Sequence, residues 1–168
     1  RLDFKKLANL SGLHIAAMED ATLLSALEVY LAATGAPALT APDRDRLSQA
    51  LYCLKDRSKT FPELLEKARF LLVARPVVPD AAAEKSLDTV SRGILKKLTM
   101  RLQNASWERE TLEGAVAEIA AGTGLGLGKI AGPIRAALAG RTVTPSVFDM
   151  MLVLGQAETL ARLEDASL

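Results

Sequence analysis

Apolar residues recur along this chain at intervals of three and four. No run alternates apolar and polar residues in the way a β-strand requires. Between residues 20 and 34, Leu23, Leu24, Leu27, Tyr30 and Leu31 share one face of a 3.6-residue turn, and Gly35 follows as a stop. The pattern returns in each later segment. Ala and Leu are abundant while aromatic residues make up only 4% of the chain, which favours helix over sheet. The fold class predicted is all-α.

The punctuation predicts the individual helices. A short amphipathic segment at residues 3–10 stops before Gly12, and a helix over residues 20–34 ends at Gly35. A Pro-rich connector at residues 36–42 leads to Asp43, which is expected to cap a helix reaching about residue 56. Thr60 caps the next helix, with Pro62 and Glu63 in its first turn. The stretch ARPVVPD at residues 74–80 reads as a hinge, dividing the chain into subdomains at 1–75 and 76–168. Beyond it, one long helix is expected over residues 80–103, with Leu87, Val90, Ile94, Leu95, Leu98 and Leu102 on its inner face. Gly93 inside that helix costs roughly 1 kcal/mol against Ala, which points to close packing there. Ser106 is expected to cap a helix ending at Gly122, followed by helices over 127–139 and 145–154 and a last one from about 157.

Composition excludes several functions. The formal charge is +1; residues 1–75 hold 11 Lys/Arg against 9 Asp/Glu, and residues 76–168 hold 10 against 11. Any nucleic-acid contact must therefore come from a local patch. Cys53 is the single cysteine, so no intrachain disulfide or Cys-pair zinc site can form, and a buried reduced thiol in a cytoplasmic protein is expected. No apolar run approaches the roughly 18 residues of a membrane span. The chain opens on Arg1 with a helical pattern and no signal-peptide core, and is expected to be a fragment of a longer protein.

Few residues invite catalytic chemistry. GLGLGK at residues 124–129 fails as a phosphate loop: Thr123 stands where the first glycine belongs, and Ile130 replaces the required Ser or Thr. His14 is the single histidine and has no partner for a metal site or dyad, and Glu108, Glu110 and Glu113 read as solvated helix-start charges. No catalytic, cofactor or metal residue is assigned. Three basic or turn positions carry more. Arg57 closes one helix and precedes the cap of the next, where a guanidinium could serve the helix C-terminus or reach a base edge in bidentate fashion. Arg135 follows Pro133 on a helix whose Ile134, Ala137 and Leu138 are committed to packing, so it should project outward. Thr144 and Pro145 are expected to cap and start the following helix, leaving its first N–H groups open to an anion or base acceptor.

The segment GKIAGPIRAALAGRTVTPSVFDMMLVLG resembles the C-terminal region of bacterial glutamyl-tRNA synthetases, which carry G-K-[VIL]-x-x-P-[LI]-R-x-A-L-x-G, then T-P-G and an apolar helix ending in L-G. RLDFKKLANLSGLHI is similar to the family's segment after the catalytic signature loop, TFPELLEKARFLL to its E-F-x-E-x-A-x-Y-F-[LF] helix, and Trp107-Glu108 to its W-[TE] helix start. The resemblance covers nearly the whole chain.

What it implies is an anticodon-binding region, an α-helical cage of two helical subdomains: 1–75 with the end of the stem-contact region, and 76–168. Carried over by motif, Arg57 matches the arginine that reads the third anticodon base and separates glutamate tRNA from glutamine tRNA. Arg135 matches the arginine of the P-x-R segment, and Thr144, Pro145 and Val147 the turn whose backbone and apolar surface meet splayed bases. Arg57 and the Arg135 corner are expected to complete one anticodon pocket. The implied partners are the tRNA(Glu) anticodon loop and a catalytic domain in cis, with no membrane and a monomeric fragment. ATP and Mg belong to the parent enzyme, a glutamate–tRNA ligase, because the H-I-G-H and K-M-S-K-S signatures are absent here and the fragment has no cofactor of its own. Departures are Ser11, Leu13-His14, Ala16 where an arginine is common, and Ser146 in place of the frequent glycine. Two other readings stay open: the anticodon region of another class I synthetase of the lysyl type, and a helical protein-interaction module, although no internal repeat of solenoid length supports the latter.

Overall fold

The computed structural model describes the backbone of residues 12–168 and the side chains from Ile15 onward. The helix expected at residues 3–10 and the side chain of His14 lie outside the described residues. Among the described residues every regular element is helical. The chain separates into two compact units, one running to Leu72 and the other from Val73 to Leu168.

The first unit contains α1 (Gly12–Ala17), α2 (Asp20–Ala33), α3 (Ala41–Leu54) and α4 (Phe61–Leu72), with a 3-10 turn over Lys55–Arg57 between α3 and α4. Gly12 opens α1, and Ile15 anchors the helix in the core. Leu23 and Leu27 of α2, Leu47, Leu51 and Leu54 of α3, and Phe61 and Leu64 of α4 are fully buried, each contributing about 1.5–3 kcal/mol of transfer free energy. Tyr30 and Phe61 stack with ring centroids 5.2 Å apart. Gly35 ends α2 as expected: at φ 72° it donates to the Ala32 carbonyl while Ala36 donates to Leu31, the paired bonds of a Schellman motif. The cap of α3 is Thr40, whose Oγ1 accepts from the Asp43 N–H at 3.3 Å. Asp43 therefore sits inside the first turn, because the threonine two residues before Pro42 already supplies the capping oxygen. Thr60 caps α4 in the same way, accepting from Glu63 N–H. Cys53 is half-buried, not buried, and its thiol donates to the Ala50 carbonyl.

The second unit contains α5 (Ala81–Glu84), α6 (Thr89–Leu102), α7 (Arg109–Thr123), α8 (Leu127–Ala139), α9 (Val147–Leu154) and α10 (Gln156–Ala166). The single helix expected over residues 80–103 is two. Asp80 caps α5 by accepting from Ala83 N–H, and Asp88 caps α6 by accepting from Ser91 N–H, both at 2.8 Å. A local cap thus interrupts an apolar periodicity that runs on through residues 85–88. Ile94, Leu95, Leu98 and Leu102 face the core, but Val90 is 65% exposed and nothing lies within 4 Å of a Cβ built on Gly93. The close packing expected at Gly93 does not occur. Ser106 does not cap α7; its hydroxyl pairs with Thr111 Oγ1, and Glu108 holds the cap position without a side-chain bond. Trp107 Nε1 donates to the Met151 carbonyl at 2.9 Å, fixing the segment before α7 against α9. No helix among the described residues is long and apolar enough to cross a membrane.

Candidate nucleic-acid interface

In the first unit, three residues of 3-10 turn join α3 to the loop before α4, and Arg57 is the last of them. The side chain is exposed, and its guanidinium has no hydrogen-bond or ion-pair partner among the described residues. Its backbone is held firmly. Ser58, 1% exposed, donates its hydroxyl to the Leu54 carbonyl at 2.7 Å and its N–H to the Lys55 carbonyl at 3.3 Å. Lys55 Nζ reaches back to Asp20 at 2.7 Å and to the Met18 carbonyl at 3.1 Å. From α4, Lys67 Nζ donates to the carbonyl of Arg57 itself. Sequence periodicity places Arg57 at a helix end but gives no sign that Lys67, ten residues later, closes on it.

In the second unit, the glycine-rich run is a connection between helices. Gly124 ends α7 at φ 70°, and Gly126 occupies the cap position of α8. Pro133 lies inside α8 and is buried. Lacking an N–H, it leaves the Lys129 carbonyl without its helical donor. Ile134, Ala137 and Leu138 pack in the core, leaving Arg135 half-exposed with no partner among the described residues. Arg141 is engaged: Nη1 donates to the Gly140 carbonyl at 3.0 Å, and Nε lies 3.8 Å from Asp80. Lys129 is exposed, and its charge helps hold the Asp88 carboxyl low, after the larger effect of the Ser91 bonds.

The turn after α8 differs from the expected geometry in two respects. Thr144 and Pro145 do not start α9; it begins at Val147, with Ser146 at the cap position making no side-chain bond. The Thr144 hydroxyl is turned instead to the Pro145 carbonyl at 2.8 Å. Val147 is 4% exposed and Pro145 is buried, so neither presents an apolar surface. Val143, 76% exposed, does. The reason is hydrophobic: Val147 opens a helix whose Met150 and Met151 are both fully buried, and it follows them inward. The spacing carries a signal for that inward turn, because a valine three and four residues before two methionines shares their helix face. Thr144, Pro145 and Val147 thus lie together at the start of α9, which packs on the Arg135-bearing α8, while Arg57 belongs to the other unit.

These features suit contact with a nucleic acid. Unpaired guanidinium groups on fixed backbone offer forked donors to base edges or phosphates. Among the described residues, no cluster of three His, Cys, Asp or Glu side chains could hold a metal ion.

A family model described as an anticodon binding domain matches residues 22–167. Glutamate–tRNA ligase 1 of Dinoroseobacter shibae is 65% identical over 167 residues, covering 99% of this chain and 36% of that protein. Glutamate–tRNA ligase 2 of Cereibacter sphaeroides is 64% identical over the same span, with the same coverage. The chain thus spans 36% of the length of these curated relatives. Among solved structures, a glutamate tRNA ligase from Elizabethkingia meningosepticum superposes with a TM-score of 0.73 at 20% identity, covering 94% of this chain and 30% of that one. That likeness establishes a shared fold.

Proposed function

The chain belongs to the anticodon binding domain family, and from that premise we propose that it is the tRNA-reading part of a glutamate–tRNA ligase. The observation that carries the proposal is identity above 60% to two such ligases across almost the whole chain. ATP, Mg and glutamate would be bound by the rest of the parent enzyme, in the cytoplasm. This portion would grip the anticodon loop of tRNA(Glu).

Arg57 is the proposed reader of the third anticodon base. Glutamate anticodons end in cytosine, which presents O2 and N3 acceptors side by side to a guanidinium fork. Glutamine anticodons end in guanine, whose N1–H and N2–H would meet the same fork donor against donor. Arg135 and Thr144 are proposed to contact the loop from the second unit, with Pro145 and Val147 fixing the turn from beneath. The near-neutral charge agrees with recognition by stacking and base-edge bonding more than by bulk attraction.

Titrating the chain with glutamate, glutamine and lysine tRNA transcripts tests this reading. Preference for the glutamate transcript is expected. Preference for the lysine transcript would reassign the chain to a lysyl-type enzyme, and indifference to all three would favour a protein-interaction module. Arg57→Gln should relax third-base selectivity.

A further inference from the structure

We infer that Lys67 is a positioning residue that sets the aim of the Arg57 guanidinium, an inference that rests on Arg57 being the base reader. The case begins with the backbone of the 3-10 turn. A turn this short leaves carbonyls that must find donors outside it. The carbonyls of Leu54 and Lys55 are taken by Ser58, the residue that directly follows the turn. Arg57 is different: its carbonyl is bonded from another element, by Lys67 Nζ of α4. The root of α4 is fixed in its turn, because Glu63 Oε2 accepts from the Lys59 N–H at 2.7 Å and Thr60 Oγ1 accepts from the Glu63 N–H. Lys67 therefore ties the Arg57 backbone to a helix whose own start is closed by two side chains.

Two consequences follow for the guanidinium. With its peptide held on both sides, Arg57 keeps only side-chain rotamers to be ordered on binding, so less freedom is lost when a base docks. The Lys67 ammonium also stands close enough for the two charges to repel each other. Burial pushes the Lys67 ammonium below the ordinary lysine range; Glu63 opposes that, and the Arg57 charge adds to it. Because both ends of the fork are N–H donors, a cation behind it favours acceptor-rich base edges and disfavours donor-rich ones. Lys67 acts through Arg57, not on the RNA.

The test compares Lys67→Met, Lys67→Arg and Arg57→Gln in the 168-residue chain. The readout is binding to anticodon stem–loop RNAs that differ only in the third anticodon base, measured by fluorescence anisotropy at several salt concentrations. A bidentate arginine contributes on the order of tenfold or more to discrimination. Arg57→Gln should abolish that ratio, and Lys67→Met should lower it about fivefold or more. Lys67→Arg, which keeps a cationic donor to the carbonyl, should restore it. A thermal melt of Lys67→Met matching the unsubstituted chain separates this from loss of fold; if that variant melts early, recovery of discrimination by Lys67→Arg carries the test. Affinity falling equally for all RNAs, with the salt slope smaller by about 1, would make Lys67 a phosphate contact and overturn the inference. So would an unchanged ratio in Lys67→Met alongside its loss in Arg57→Gln, which would leave the base-reading role of Arg57 standing. A ratio unchanged in Arg57→Gln would remove both.

Discussion

Arg75 and Asp165 meet through two hydrogen bonds of 2.9 Å, Nε to one carboxylate oxygen and Nη2 to the other. The bond to Arg75 holds the Asp165 carboxyl below its ordinary value, with burial opposing. A carboxyl depressed on folding stabilises fully above its unfolded value of about 3.9 and loses that contribution as pH falls through the lower folded value. Asp165→Asn should therefore melt below the unsubstituted chain at neutral pH. The gap should narrow below about pH 3.9 and close once the native carboxyl is protonated. Glu118, held low by its bond to Arg101, titrates in the same window and contributes equally to both proteins. Thermal unfolding followed by circular dichroism across pH gives the answer, and a gap independent of pH would remove the pair as its source.

Arg162 is 3% exposed and donates to Glu158 Oε1 at 2.9 Å, the Leu138 carbonyl at 2.7 Å and the Val73 carbonyl at 3.3 Å. Arg162→Met keeps the bulk but leaves the two carbonyls without this donor. Urea unfolding should show a loss of about 3 kcal/mol with little change in slope. Arg162→Lys should recover only part of it, because one ammonium lacks the planar fork that spans separate acceptors.

Gly93 and Gly140 should respond to alanine in opposite directions. Nothing lies near a Cβ on Gly93, so Gly93→Ala is expected to stabilise α6 by about 1 kcal/mol through helix propensity. Gly140 adopts φ 67°, and an added Cβ would stand 2.6 Å from the Val78 carbonyl oxygen. Gly140→Ala should cost about 2 kcal/mol or more, from left-handed strain and the clash together. Paired denaturation curves decide it.

Arg135→Ala should leave stability within about 0.5 kcal/mol, since the side chain has no partner in its own unit. It should weaken RNA binding and flatten the dependence of log affinity on log salt by about 0.7 if the contact is to a phosphate. An unaltered affinity would exclude Arg135 from the interface.

Helix α8 was fully legible because Gly126 and Gly140 bracket it and the apolar face between them is unbroken. The ends of α2 and the cap of α4 were legible for the same reason, with Gly35 and Thr60 carrying unambiguous local chemistry. The break at residues 85–88 was hidden because Leu87 continues the helical period while Asp88 quietly supplies a cap. Buried charge was hidden too: hydrophobic periodicity treats Arg162 as solvent-facing, although hydrogen bonds to two carbonyls draw it into the core. At the candidate interface, the sequence marks Arg57 and Arg135 as outward guanidinium groups. It cannot show that Lys67 reaches the Arg57 carbonyl, because that depends on how α4 folds back toward the turn.

Arg162 and Asp165 hold residues 73 and 75 against α10, so the point where the chain enters the second unit is sewn to the stretch where its last helix ends. Loosening either bond would free residues 73–75 from α10 before the helix itself unfolds.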